Sequence, residues 1–470
     1  MTMGELGAML TTAAADERTV AQSIADELRT VAVFRSVLQD PICGAVLDLL
    51  AELARERPNR GVVAEYYARA FALLAEAAHL DPLPGVEDAW QAHLTALLLD
   101  QPNPVCAQAE RFGVDGVASG LRDKALRELS ILRRLHDLDG VSLLRLISHA
   151  LSDGDDGLGP WAPWSGLTSP SATSGGNQVR SELRHRLASD GDWADLFGDL
   201  VCFWAQHGCG TVARYHMLRW DSALGALRGI AHPDDIALAD LVAYDREQRL
   251  LLQNTERFLK GIPAHHVLLY GLPGTGKSST VKALVNHFAP RGLRLVEVRK
   301  EDLLELAVIC AALRDRAPHF ILFVDDLSFE EHETQYKPLK ALLEGTAEAK
   351  PPNVLIYATT NRKNLVRESF ADRGVPGDDV HERDTLLEKT SLAARFGLRI
   401  TFSAPDQERF VQIATAIARA RGLALPDAEL RARALAWDRR HGGRSGRSAR
   451  QFADELAAEI AEDERRRVHL

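Results

Sequence analysis

The chain is poor in cysteine, in lysine over its first half and in long apolar runs, and each shortage narrows what it can be. Five cysteines, at 43, 106, 202, 209 and 310, are spread over 470 residues. Only Cys202 and Cys209 are close in sequence, and nothing joins them at metal-ligand spacing. Reduced, buried thiols in a cytoplasmic protein are therefore expected rather than a disulfide framework. No run of about 18 uncharged apolar residues occurs, which argues against a membrane span. The opening Met1-Thr2-Met3-Gly4-Glu5 lacks a basic stretch with a long apolar one behind it, so no secretory leader is expected. Lys124 alone precedes Lys260 among the lysines, although arginine occurs throughout. With a formal net charge of −10, a chain-wide footprint for nucleic acid is not supported, and only a local basic patch stays open.

What is present falls into blocks. The composition, 46% apolar and 26% charged, is that of a soluble globular protein, and the length calls for two or three domains. Residues 1–151 read as a helical domain: from about 16 onward apolar residues recur at helical spacing, as in Val63, Tyr66, Tyr67, Ala70, Leu73 and Leu74. This domain carries no catalytic signature. Residues 152–178 are rich in Gly, Asp, Ser, Pro and Thr and read as a linker or loop. Inside it, Gly159-Pro160-Trp161-Ala162-Pro163-Trp164 either docks on a partner or folds back onto a neighbouring surface. Residues 179–231 read as a helical segment packing on the next block, with Leu196, Leu200, Phe203 and Trp204 as core candidates. From 232 to 405, strand-like runs at 266–270, 293–298, 320–324, 354–358 and 398–402 alternate with helices, which predicts a parallel sheet covered by helices on both faces. Residues 406–470 read as three helices, at 406–421, 427–440 and 446–464.

The chemistry is concentrated in the second half. Gly271-Leu272-Pro273-Gly274-Thr275-Gly276-Lys277-Ser278 fills every fixed position of G-x-x-x-x-G-K-[ST], between an apolar strand and a helix that opens with Ser279. Glycines let the backbone curl so that its N–H groups converge on a phosphate; the lysine adds charge at the β/γ-phosphates and the hydroxyl helps hold Mg²⁺. A helix N-terminus aimed at an anion completes such a site. The apolar strand Phe320-Ile321-Leu322-Phe323-Val324 ends in Asp325-Asp326. A carboxylate at that sheet edge lies beside the phosphate loop, so Asp325 is expected to position Mg²⁺ and Asp326 to orient or deprotonate an attacking water. The next strand ends in Asn361, an amide suited to holding that water. Arg395, at a helix end before the last strand, suits a cation acting on a neighbouring subunit's γ-phosphate. Arg447 and Arg450 open the last helix, where cations oppose the dipole, so a phosphate is the expected compensation. The rival is a nucleic-acid patch made with Arg431, Arg433, Arg439 and Arg440, diluted by Asp427, Glu429, Asp438, Asp454 and Glu455.

These elements, in this order and followed by a helical lid, resemble the AAA+ ATPases over about residues 232–470. In that family's terms, Lys277 and Ser278 look like Walker A, Asp325 and Asp326 like Walker B, Asn361 like sensor 1, Arg395 like an arginine finger and Arg447 like sensor 2. The resemblance implies an α/β fold: an αβα P-loop base with a five-stranded parallel sheet in the order 5-1-4-3-2 and a helical lid, here preceded by an all-α N-terminal domain. It also implies ATP and Mg²⁺ as cofactors, and ring or helical homo-oligomers with ATP between subunits. One departure is that most relatives end Walker B in Asp-Glu, whereas this chain has Asp325-Asp326, as replication-initiator and helicase-loader relatives do. Asp is one methylene shorter, which opens the alternative of a slow nucleotide-dependent switch binding a protein or DNA partner; Glu330 and Glu331 are second candidates for the base. A substrate-threading remodeller needs an aromatic pore loop, and Val298-Arg299-Lys300-Glu301-Asp302-Leu303 has no aromatic residue. More narrowly, the chain resembles a bacterial family of AAA+-type ATP-binding proteins catalogued as a domain of unknown function. The shared wording is Gly-Leu-Pro-Gly-Thr-Gly-Lys-Ser at 271, Asp-Asp-Leu-Ser-Phe-Glu at 325, Ser-Leu-x-x-Arg-Phe-Gly-Leu at 391 and Ser-Gly-Arg-x-Ala-Arg-Gln-Phe at 445. The expected partner is a protein bound through residues 1–230.

Overall fold

The computed structural model describes residues 19, 21–151, 161–167, 177–189, 191–329, 335–344, 351–361 and 392–468. The chain divides into two compact units, Met1–Tyr215 and His216–Leu470.

The first unit is helical, as expected. Its principal helices are Pro41–Leu53, Arg60–Leu80, Ala89–Asp100, Pro104–Phe112, Ser119–His136, Gly140–Leu151, Gln178–Ala188 and Phe197–His207. Their starts are written locally: the side chains of Asp40, Asn59, Asp88 and Asn103 accept the first-turn N–H groups, and Pro41 and Pro104 occupy positions that need no donor. Trp90, Trp164, Trp193 and Trp204 are fully buried in the shared core. Two buried ionic groups are held by several hydrogen bonds each. The Glu128 carboxylate accepts the backbone N–H groups of Ala32, Val33 and Phe34 at 2.9, 2.8 and 3.1 Å. Arg180 clamps both Asp81 and Asp100 through its guanidinium. The tryptophan segment folds back rather than presenting a docking peptide: Trp164 is buried, its carbonyl accepts from Ala89 N–H at 3.0 Å, and the Tyr67 hydroxyl donates to the Ala162 carbonyl.

The thiols depart from expectation. Cys202 is exposed, and the sulfur that meets Cys209 is that of Cys106, far away in sequence, at 3.1 Å.

The second unit is built on a seven-stranded sheet. The strands are β1 Met217–Asp221, β2 Ala226–Gly229, β3 Val267–Gly271, β4 Leu293–Glu297, β5 His319–Val324, β6 Val354–Thr360 and β7 Leu398–Phe402, in the order β2-β1-β4-β5-β6-β3-β7. All pairings are parallel except β1 with β2. The expected five-stranded sheet is therefore extended: β7-β3-β6-β5-β4 follows the order 5-1-4-3-2, and the β1–β2 hairpin adds two strands beyond β4. The segment 179–231 is corrected accordingly. Its helices end at Arg214 within the first unit, and 217–229 forms this hairpin. Five- and four-residue strands carry too little periodicity to be seen locally; register against Leu295, Val296 and Glu297 makes them strands. Every residue of β6 is buried, which means that both faces of the sheet are covered. Three helices, Gln407–Ala420, Asp427–His441 and Gly446–Val468, follow β7 as the lid, close to their expected bounds.

Candidate active site

The site grows from the end of β3. A Cβ on Gly271 would lie 2.2 Å from the Phe402 carbonyl oxygen, so only glycine lets β3 run this close to β7. Gly274 and Gly276 take positive φ (77° and 87°), and the Thr275 hydroxyl donates to the Leu272 carbonyl at 2.9 Å, closing the loop. The helix Lys277–Phe288 then starts with no side-chain cap. Its free first turn opens on a cleft of about 720 Å³, lined on this side by Gly274 to Thr280 and Asp325. Uncapped donors, a dipole end and a lysine suit a phosphate chain, so the residues fit the nucleotide.

Lys277 is almost buried. Its ammonium donates to the Gly271 carbonyl at 2.8 Å, the Leu272 carbonyl at 3.0 Å and Asn361 Oδ1 at 2.8 Å. Burial pushes its pKa below the ordinary lysine value, and the charges of Asp325 and Asp326 partly offset that. Ser278 Oγ donates to Asp325 Oδ1 at 2.6 Å. This hydroxyl and carboxylate are the pair of hard oxygens that suits Mg²⁺. Asp326 sits in the left-handed region (φ 51°), an unusual place for a non-glycine residue. Its N–H donates to Thr359 Oγ1 at 2.9 Å, and its carboxylate accepts from Asn361 Nδ2 at 2.8 Å. Asn361 thus ties the loop lysine to the second acid. Thr359, whose hydroxyl also donates to Asp325, was missed from sequence. The available signal was a hydroxyl two residues before Asn361 on the same strand.

The lid closes the cleft from above the loop. Gly446 N–H donates to the Gly274 carbonyl at 2.7 Å, and Arg447 and Arg450 line the cleft. Among the described residues neither arginine has an acidic partner. Of the rival basic patch, Arg431 and Arg433 pair with Glu408 and Glu429, and nearby Arg419, Arg421 and Arg444 pair with Asp427, Asp454 and Asp438. On the remaining wall, Ile236, Leu241, Val242, Ile413, Ile417 and Ala420 are apolar and Asp234, Asp235 and Asp240 are acidic. Asn286 holds that wall, donating to the carbonyls of Asp234 and Ile236 at 2.9 and 3.0 Å. No local pattern announces these residues.

Some expected residues stand apart. Gly271, Pro273, Asp326 and Asn361 do not line the cleft; Asn361 reaches it through Lys277. Arg395 is not a lining residue either, and its guanidinium pairs with Glu344. Glu330, Glu331 and Ser391 lie outside the described residues.

A family model described as "Protein of unknown function (DUF815)" matches residues 213–460. The chain belongs to this family. The DUF815 region takes in every site residue described above, whereas the first unit lies almost wholly outside it. The chain is also similar to the 26S proteasome regulatory subunit 6B homolog of Schizosaccharomyces pombe, 27% identical over 232 residues, which are 41% of this chain and 59% of that one. Among solved structures, it is similar to the Thermotoga maritima RuvB Holliday junction branch migration motor and to an arginine-to-alanine variant of that protein. Identities are 16% and 17%, each match covers 48% of this chain and 66% of that one, and the TM-score is 0.35 in both. The chain thus spans about three-fifths of the curated relative's length. With its glycine loop, acid pair and strand order, this DUF815 protein is an ATP-binding member of the AAA+ P-loop superfamily. Among the described residues no helix is long and apolar enough to cross a membrane.

Proposed function

We propose that the protein hydrolyses ATP in this cleft and uses the cycle to move its lid, acting on a protein partner held by residues 1–230. The observation that carries this reading is the chain of contacts from Lys277 through Asn361 to Asp326, beside the Ser278–Asp325 pair. It joins the group that binds the γ-phosphate to the group that orients the attacking water. When bound, Mg²⁺ supplies charge neutralisation at the β/γ-phosphates, with Ser278 and Asp325 as its protein ligands. The loop amides from Gly274 to Ser279 bind the phosphates, and Lys277 adds a point charge. The Asp326 carboxylate accepts the water's proton, with Asn361 fixing its orientation. Arg395 reaches a neighbouring subunit's γ-phosphate in a homo-oligomer, and Arg447 and Arg450 meet the same charge from the lid. The apolar residues Ile236, Val242 and Ile417 of the cleft receive the base. A cytoplasmic location fits this reading.

The test is Lys277→Ala. Loss of a charged hydrogen-bond donor to phosphate weakens ATP binding by about tenfold or more and abolishes phosphate release. Full turnover in that variant would sink the assignment.

A slow switch is the second reading, favoured by the short Asp326 side chain and its direct bond from Asn361. It expects turnover below about one per minute, far under the usual enzymatic range, with partner binding that depends on ATP. Asp326→Glu separates the two readings: under the switch reading, the longer carboxylate raises turnover with ATP affinity unchanged.

A further inference from the structure

The contact between Cys106 and Cys209 lies in the first unit, outside the cleft and its chemistry. Cys106 is the third residue of the helix Pro104–Phe112, and Glu110 follows one turn later on the same helix face. Cys209 arrives from a different part of the chain, in a loop whose flanking residues, Gly208 and Gly210, both take positive φ (70° and 69°). Those two glycines let the backbone turn the thiol into the helix. Its N–H is fixed there by donation to Glu110 Oε1 at 3.1 Å. Cys106 Sγ in turn accepts the Asn103 N–H at 3.4 Å, so the surroundings orient the pair. Both cysteines are more than nine-tenths buried, and one ligand atom from each of Cys106, Glu110 and Cys209 lies within 4.8 Å of the others.

We propose that Cys106, Cys209 and Glu110 form a binding site for a soft divalent metal ion of the zinc class. Two thiolates and a carboxylate are three of the four ligands such an ion takes, the fourth being a water. The sulfurs need to part from 3.1 Å to about 3.8 Å, the separation of two ligands held roughly 2.3 Å from a tetrahedral ion. A disulfide explains the cluster less well. It would use the two sulfurs alone and leave the Glu110 carboxylate, which lies within ligand distance of both, without a part in the bond. Metal binding uses all three groups and releases the thiol protons to solvent as the bonds form.

The test uses the full-length protein, reduced and stripped of metal with a chelator, with Cd²⁺ alone as the probe. One equivalent per chain is expected to give a thiolate-to-metal charge-transfer band in the ultraviolet, which excess chelator then removes. The Ser278–Asp325 oxygens cannot give this band. Cys106→Ser and Cys209→Ser each abolish it, Glu110→Gln weakens Cd²⁺ affinity about tenfold or more, and Cys202→Ser, at the exposed thiol, leaves it intact. Because the buried variants can fail to fold, alkylation of the unmutated protein gives a second measurement: the metal protects Cys106 and Cys209 and leaves Cys202 reactive. Absence of the band, protection of other thiols, or a 106–209 disulfide that Cd²⁺ does not prevent would overturn the proposal.

Discussion

The Gly446 amide donates a 2.7 Å hydrogen bond to the Gly274 carbonyl, so the start of the last helix is fastened directly to the glycine loop. Any movement of the lid relative to the base acts on this bond. The two elements are also in close contact around it: a Cβ on Gly274 would meet Ser445 Cβ at 3.0 Å and Arg447 Cβ at 3.3 Å.

Gly274→Ala is therefore expected to be worse than Gly276→Ala. Both residues have positive φ, which costs a side chain about 1–2 kcal/mol. At Gly276 a Cβ meets nothing within 4 Å, whereas at Gly274 it also pushes the lid away. Thermal melts and ATP titrations of the two variants check this; equal losses in both would mean that the contact with the lid carries no energy.

Arg395→Ala is expected to leave ATP affinity within about twofold of the parent and to cut hydrolysis about a thousandfold, as loss of an arginine finger does. Mixing it with inactive Asp326→Asn restores activity, because one subunit supplies the arginine and the other a complete site. If the mixture stays inactive, the arginine does not act across a subunit boundary, and its pairing with Glu344 is left as its role.

Tyr357 sits in the sheet core, fully buried, its hydroxyl bonded to Asn254 Nδ2 at 3.1 Å and Thr255 Oγ1 at 2.7 Å. Burial pushes its pKa up to about 12. Tyr357→Phe keeps the ring but takes the hydroxyl away from Thr255 Oγ1 and from Asn254 Nδ2, which keeps its bond to the His265 carbonyl, so a loss of about 1–3 kcal/mol in chemical denaturation is expected, with ATP affinity little changed.

His136 makes the helical unit acid-sensitive. Its ring is fully buried, and desolvation, helped by the Arg133 charge, lowers its pKa to about 4. Between pH 6.5 and about 4 the unfolded chain takes up a proton that the folded one refuses, so stability falls as pH drops through that window, by up to about 3 kcal/mol. Well above that window the group contributes no slope. His136→Phe flattens this part of the melting curve against pH, and an unchanged acid limb would exclude the residue as its source.

Much of the base was legible beforehand because its signals are local. Apolar runs ending in Gly271, Asp326 and Asn361 announce buried strands with polar tips, and the Gly274–Gly276 turn has a strict residue requirement. The hairpin 217–229 was not legible, since β2 is largely exposed and too short for a pattern. Nor was the set of Ile236, Val242 and Ile417, whose members are ordinary apolar residues until the fold brings them to one cleft.

By itself, the amino-acid order determined the phosphate loop, the acids at the strand tip, the three lid helices and the parallel core, because backbone conformation and burial period depend on near neighbours. Only the tertiary structure decided the rest. It set Thr359 between the two acids and brought Cys106 to Cys209. Among the described residues it also left Arg447 and Arg450 without a carboxylate while Arg444 found Asp438. These are outcomes of contact between residues distant along the chain, and chain packing alone sets which side chains meet.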